Sequence, residues 1–145
     1  MGNFKIRQAN PADFNGVEKL LLDNKLPAED INKDLPNFFV ATDKDSIIGA
    51  IGFEVYADNG LLRSMVIDTA HRKHGIAAAL INELFTDARK KNLKEMYLLT
   101  ETAADYFTKK DFQRVERDQV PESLKQSSEF SHVCPSSAIV MKKKI

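Results

Sequence analysis

Four neighbouring side chains, Arg72, Lys73, His74 and Gly75, stand between an apolar run that includes Met65, Val66 and Ile67 and an amphipathic run that opens with Ile76 and Ala77. A loop entering a helix leaves backbone N–H groups without helical partners. The helix dipole adds partial positive charge at the same end. Glycine lets a ligand come close to the backbone because no Cβ intervenes. Such a junction suits an anion, most naturally a phosphate or pyrophosphate, held by backbone N–H groups while Arg72 and Lys73 add attraction. A plain connector, in which Gly75 only permits a turn, uses the same residues. A second place for chemistry is Arg63 with Ser64, which interrupt an otherwise apolar strand. A buried guanidinium needs a partner; a substrate carboxylate is the preferred one, and a protein carboxylate such as Glu101 is the alternative. Cys134 lies two residues from His132, but one cysteine and three dispersed histidines make no zinc pattern, so no metal is expected. Cys134 reads as a small, partly buried residue that positions the last strand, or as a soft thiol that touches substrate.

The elements that must position these residues follow from periodicity. Asn3–Ala9 alternates as a first strand. Asn10 and Pro11 form a helix N-cap with proline in the first turn, and Phe14, Val17, Leu20 and Leu21 make the buried side of the helix. Leu26-Pro27 breaks it. The spacing of "AEDINKDL" predicts a short second helix that ends before Pro36. Asn37–Asp43 and Ile47–Tyr56 read as strands joined by a turn, and "ADNG" turns again into Leu61–Asp68. A helix from Ile76 to about Lys91 places Leu80, Ile81, Leu84 and Ala88 on one face. "EMYLLT" is a buried strand, "AADYFTKK" a short helix, "FQRVER" a strand and "SAIVMKK" the last strand, with an irregular segment from Pro121. Hairpin-linked strands must be antiparallel, and the strand–helix–strand unit from Leu61 to Thr100 should be parallel. The expectation is α/β, of mixed α+β kind: one domain, 1–145, with a mixed sheet of about seven strands and about four helices.

Composition narrows the function classes. Formal net charge is zero, which argues against a nucleic-acid partner that needs a basic face. Lys142–Lys144 read as a solvated chain end. No apolar run approaches the ~20 residues of a bilayer span, and the first residues lack a signal-peptide core. Neither a membrane nor an export route is expected, so the expected location is cytoplasmic. A single cysteine excludes an intrachain disulfide, which suits that compartment.

"RKHGIA", Arg72–Ala77, resembles the [Arg/Gln]-x-x-Gly-x-[Gly/Ala] signature of the GNAT superfamily of N-acetyltransferases, and the order of elements around it is similar as well. The resemblance implies an acetyl-coenzyme A-dependent N-acetyltransferase that acts on a small amine or amino-acid-like acceptor by direct attack in a ternary complex. It implies that Met65, Val66 and Ile67 pair with pantetheine and polarise the acetyl carbonyl. Residues Arg72, Lys73, His74, Gly75, Ile76 and Ala77 would form the pyrophosphate loop, with Thr100 and Ala103 beside the coenzyme arm. "LLRSMVI", "MYLLTETAADYF", "SSEF" and "CPSSAIVM" together look like the N-acetyltransferases of arsenic operons, which implies a role in arsenic or xenobiotic resistance. Acylation of a protein or peptide amine, or coenzyme binding without catalysis, are the alternatives. A small-molecule amine is the expected partner, and a homodimer is left open.

In the family, the acid that protonates the leaving thiolate is often a tyrosine four residues before a Gly-Phe pair. Here the pair is Asp111-Phe112 and the tyrosine position holds Phe107, which leaves packing as its role. Tyr106 next to it becomes the acid if the local turn redirects it. Asp111 in the glycine's place suggests a modified helix end, since a residue of positive φ there is strained unless it is Asn or Asp. Glu101 reads as a base or a holder of a cationic acceptor, or else as a solvated carboxylate. Glu54 falls on the strand that faces the acceptor in this fold, although full exposure is equally consistent with its alternation. Arg63, Ser64, Glu54 and Cys134 are thus the acceptor candidates, and Tyr106 and Glu101 the catalytic ones. His71 and His74 read as phosphate contacts or exposed side chains.

Overall fold

The computed structural model describes residues 4–26, 28, 31–71, 75–100, 103–125 and 138–145. Seven strands form one mixed sheet: β1 (Lys5–Gln8), β2 (Phe38–Asp43), β3 (Ser46–Tyr56), β4 (Asn59–Ile67), β5 (Glu95–Thr100), β6 (Gln113–Val115) and β7 (Ile139–Lys144). Their order is β1-β2-β3-β4-β5-β7-β6. Four α-helices occur among the described residues: α1 (Phe14–Asp23), α2 (Ile76–Lys90), α3 (Ala104–Lys109) and α4 (Glu122–Lys125). β1 pairs antiparallel with β2, and β2 with β3. β4 and β5 run parallel, as a strand–helix–strand crossover requires. β7 is inserted between β5 and β6, antiparallel to both.

The chain divides into two compact units. The first holds Met1–Phe53 and Arg63–Asp87, and its core packs Val17, Leu20 and Leu21 of α1 with Val40, Ala50 and Val66 of the sheet. Asn10 opens its first helical turn: the Asn10 side chain accepts from Ala12 N–H at 2.9 Å, and the Asn10 N–H donates to Asp13 Oδ2 at 2.9 Å. The Asp13 carboxylate is also gripped by both terminal nitrogens of Arg7, at 2.7 and 2.8 Å. The second unit holds Glu54–Leu62 and Ala88–Ile145, and its core packs Leu61, Tyr97 and Val140 with Val120 and Leu124. Tyr97 donates to Glu95 Oε1 at 3.0 Å, and Glu95 pairs with Lys142 at 3.1 Å.

Three helices end in one geometry without a glycine. Lys25 after α1 (φ 60), Asn92 after α2 (φ 60) and Asp111 after α3 (φ 71) are all left-handed. After α3, Phe112 N–H donates to Phe107 O and Asp111 N–H to Thr108 O, which is the Schellman pattern. The apolar contact that accompanies it is the Phe107–Phe112 ring pair, 5.3 Å between centroids. The positive φ expected at Asp111 is therefore present, and it folds the chain back into β6.

Several expectations need correction. The described residues of 28–35 form turns and no helix: Ala28, Ile31 and Leu35 are buried at helical spacing, but Leu35 is left-handed (φ 49) and ends any helical path. The turn before β4 takes only Ala57 and Asp58, with Ala57 at φ 56, so Asn59 and Gly60 already belong to the strand. β6 is three residues long, so Arg117, the end of the expected strand, instead opens the 3-10 turn Arg117–Gln119, and the four-residue α4 lies where irregular chain was expected from Pro121. Lys142–Lys144 are no loose end. They complete β7, and the Lys143 ammonium donates to Lys110 O at 3.0 Å.

Candidate functional site

In the first unit, β4 carries Arg63, Ser64, Met65, Val66 and Ile67 toward the loop. Ser64 is left-handed at φ 58, which a regular strand does not tolerate for a side chain with a Cβ. Arg63 is 3% exposed, and its Nε–H donates to Ser64 Oγ at 3.0 Å. The two polar residues that break the apolar run are thus bonded to each other. Val66 packs its side chain into the core of this unit, while Met65 and Ile67 are half-buried.

Beyond β4 the chain is anchored by Asp68 N–H, which donates to Ile48 O at 2.8 Å. The 3-10 turn Thr69–His71 follows. The His71 side chain is one-third exposed; its Nδ1 lies 2.9 Å from Asp68 Oδ2, and its Nε2 lies 3.7 Å from Asp43 Oδ2. Arg72, Lys73 and His74 lie outside the described residues. Gly75 returns at φ 79, exposed, with no atom of the described residues within 4 Å of where a Cβ would stand. Its conformation, not crowding, is what demands glycine. Its carbonyl accepts from Ala79 N–H at 3.1 Å, so α2 begins there with its first N–H groups directed outward. Ile76 is buried and Ala77 is half-buried. Gly49 on β3 seats this helix end. A Cβ there would stand 3.1 Å from Ile67 Cδ1 and 3.3 Å from both Ile76 Cγ2 and Leu80 Cδ1.

In the second unit, Thr100 ends β5, and its hydroxyl accepts from Ala103 N–H at 2.9 Å, fixing the entry to α3. Tyr106 on α3 is half-buried, stacked edge-on against Phe107 at 5.3 Å, with the Lys110 ammonium 5.7 Å above its ring. Burial raises its pKa, so the hydroxyl keeps its proton at neutral pH. Phe107 is buried against Phe112. Glu54 is half-buried and accepts the Tyr56 hydroxyl at 2.7 Å. Tyr56 was not singled out from the sequence, although residues two apart on a strand share a face. Glu101 and Cys134 lie outside the described residues. Among the described residues no group of three His, Cys, Asp or Glu side chains is arranged for a metal ion, and no helix is long and apolar enough to cross a membrane.

A family model for the acetyltransferase (GNAT) domain matches residues 34–114, more than half of the 145-residue chain. The chain belongs to the GNAT acetyltransferase family. No curated protein matches it. Among solved structures, the GNAT chain is similar to N-acetylglutamate synthase from Neisseria gonorrhoeae complexed with coenzyme A and N-acetyl-glutamate, with a TM-score of 0.84 at 15% identity over 99% of this chain and 35% of that one. This chain thus spans about a third of the synthase. It is also similar to Rv2747 from Mycobacterium tuberculosis in complex with CoA and NLQ, with a TM-score of 0.77 at 23% identity over 97% and 99% of the two chains. A GNAT-family acetyltransferase from Staphylococcus aureus Mu50 gives 0.78 at 18% identity, over 97% and 98%. These likenesses show the GNAT fold with its mixed seven-stranded sheet.

Proposed function

We propose that this GNAT domain is an acetyl-CoA-dependent N-acetyltransferase whose acceptor is a small amine or amino-acid-like molecule. The observation that carries the reading is the end of β4, after which the chain reaches an exposed Gly75 at φ 79 and the start of α2. That order offers backbone N–H groups and a helix dipole to a pyrophosphate. Coenzyme A in the complexes of the synthase and of Rv2747 supports the same coenzyme here, and N-acetyl-glutamate in the former supports an acceptor of amino-acid type.

In this reading, residues 72–77 hold the pyrophosphate, backbone groups of Met65–Ile67 engage the pantetheine arm and the acetyl carbonyl, and Thr100 and Ala103 lie beside the arm. A strand N–H stabilises the oxyanion that develops as the neutral amine attacks the thioester carbon. The amine's proton passes to Glu101 or to water, and the carbon–sulfur bond breaks as the thiolate leaves. Tyr106 is the acid that protonates the thiolate. Its raised pKa makes that transfer uphill, which also leaves solvent able to do it. Arg63 and Ser64 receive the acceptor's carboxylate, Glu54 its cationic group, and Cys134 touches its side chain. The cytoplasmic location, the single domain over 1–145 and a role in arsenic or xenobiotic resistance are extensions that rest on the sequence.

The buried Phe107 at the family's usual tyrosine position favours a second reading, a coenzyme sensor without turnover. Thiol release measured across a panel of amines and amino acids separates the two. The transferase releases coenzyme A with at least one acceptor. Stabilisation by acetyl-coenzyme A with no release across the panel refutes it. Arg63→Met then tests the acceptor assignment: the acceptor KM should rise about 10-fold or more while affinity for acetyl-coenzyme A holds. A fall in melting temperature with an unchanged acceptor KM gives Arg63 to the fold instead.

A further inference from the structure

Two consecutive residues of β3, Ile48 and Gly49, hold the end of β4 and the head of α2, all within the first unit. Ile48 O accepts from Asp68 N–H at 2.8 Å, just past the end of β4. Gly49 lies against the first turn of α2: a Cβ there would stand 3.3 Å from Ile76 Cγ2, 3.3 Å from Leu80 Cδ1 and 3.1 Å from Ile67 Cδ1. Ile76 and Leu80 are both buried and one helical turn apart, so one stripe of the helix rests on this glycine. Unlike Gly75, Gly49 has no positive φ. Its backbone is open to any residue, and a glycine inside a strand costs conformational entropy relative to alanine. Space accounts for it instead, since carbon atoms pack best at about 3.5–4.0 Å.

We infer that Gly49 is a positioning residue for coenzyme binding: its missing side chain sets how closely the head of α2 seats on the sheet, and so where the helix's first N–H groups meet the pyrophosphate. The inference rests on the coenzyme reading and goes beyond it, because Gly49 lies on another strand and touches no ligand. The three contacts are unequal. Ile67 Cδ1 and Leu80 Cδ1 are the ends of flexible side chains and can swing aside. Ile76 Cγ2 is bonded to a Cβ whose χ1 has one strongly preferred rotamer in a helix, so it yields only when the helix moves. An alanine at 49 therefore lifts the head of α2 by a few tenths of an ångström. Ala79 N–H is bonded to Gly75 O at 3.1 Å, but the N–H groups of the first turn have no helical acceptor, and they travel with the displaced backbone.

Calorimetric titration with coenzyme A, with thermal melts on the same samples to establish folding, tests the inference. If the wild type does not bind coenzyme A, the coenzyme reading falls and this inference with it. Given binding, Gly49→Ala should weaken affinity about 5-fold, because a site must hold its groups to within about 0.5 Å. The same substitution in an Ile76→Leu background, which keeps side-chain volume but removes Cγ2, should cost less than about 2-fold relative to Ile76→Leu alone. Gly52→Ala is the control for general loosening of β3. Its Cβ would meet the Phe38 ring at 2.6–2.7 Å, a closer clash that bears on β2 and not on α2. It should lower the melting temperature more than Gly49→Ala does and leave affinity unchanged. Unchanged affinity in Gly49→Ala overturns the inference and leaves the coenzyme reading intact. A loss that is equal in the Ile76→Leu background, or that Gly52→Ala matches, overturns it as well.

Discussion

Replacing Gly75 separates two reasons for a glycine at the head of α2. Its φ of 79 lies in the left-handed region, and no atom of the described residues lies within 4 Å of where a Cβ would project. Gly75→Ala therefore meets no steric neighbour among the described residues. Its cost is conformational: about 1–2 kcal/mol for an L residue in that region, offset by about 0.4–1 kcal/mol from the stiffer unfolded chain. The net destabilisation is about 1 kcal/mol, which for a chain of this length lowers Tm by roughly 2–4 °C. Gly75→Asn should cost less, because asparagine tolerates positive φ, yet it fills more of the open space. If that space receives the pyrophosphate, coenzyme A affinity falls by about 10-fold or more, or ~1.4 kcal/mol, in both variants, and at least as far in Asn as in Ala. Calorimetry and thermal melts on the same samples give both quantities. Affinity that follows strain, with Ala impaired and Asn normal, would show that Gly75 only shapes the loop. Unchanged affinity in both would refute the phosphate-loop assignment.

The Arg7 hydrogen bond holds the Asp13 carboxyl below its usual pKa. Its contribution to stability is therefore present above the unfolded carboxylate pKa of ~3.9 and is lost as pH falls through the folded value, so Asp13→Asn should flatten the acid limb of a stability–pH curve measured by urea unfolding. At the other end, burial, with the hydrogen bond to Glu95 as a lesser cause, pushes the Tyr97 hydroxyl up to about 12. Stability should then drop as pH rises from the unfolded value of ~10 through about 12, and Tyr97→Phe should abolish that alkaline loss. Glycine at the left-handed helix ends should stabilise, with Lys25→Gly gaining about 0.5–1 kcal/mol and Asn92→Gly and Asp111→Gly less, because Asn and Asp already tolerate αL. Equal gains at all three sites in denaturant midpoints would contradict this account.

The strand–loop–helix junction, the buried setting of Arg63 and the left-handed Asp111 were legible in the sequence because each follows from a local rule. A nearly continuous apolar run marks Leu61–Ile67, a glycine precedes a period-3.6 run, and an aspartate replaces a glycine after a short helix. The parallel pairing of β4 with β5 was legible for the same reason, since a helix between two strands leaves no other short connection. The segment 28–35 shows where local rules mislead. Ala28, Ile31 and Leu35 repeat at helical spacing because all three reach one core, but the core takes them from turns.

Only the tertiary structure decided contacts between residues far apart in sequence. β7 enters between β5 and β6, and this makes Lys142 a partner of Glu95 rather than part of a solvated tail. His71 meets Asp43 because β2 and β4 end near the same turn, a meeting that no spacing in the sequence records. Ser64 at φ 58 is the clearest case. Serine carries no preference for that conformation, so nothing in the residue itself announces it. Local chemistry determined which elements form and which residues start and stop them; the register of distant strands determined which side chains face each other, because that register is set by burial across the whole sheet.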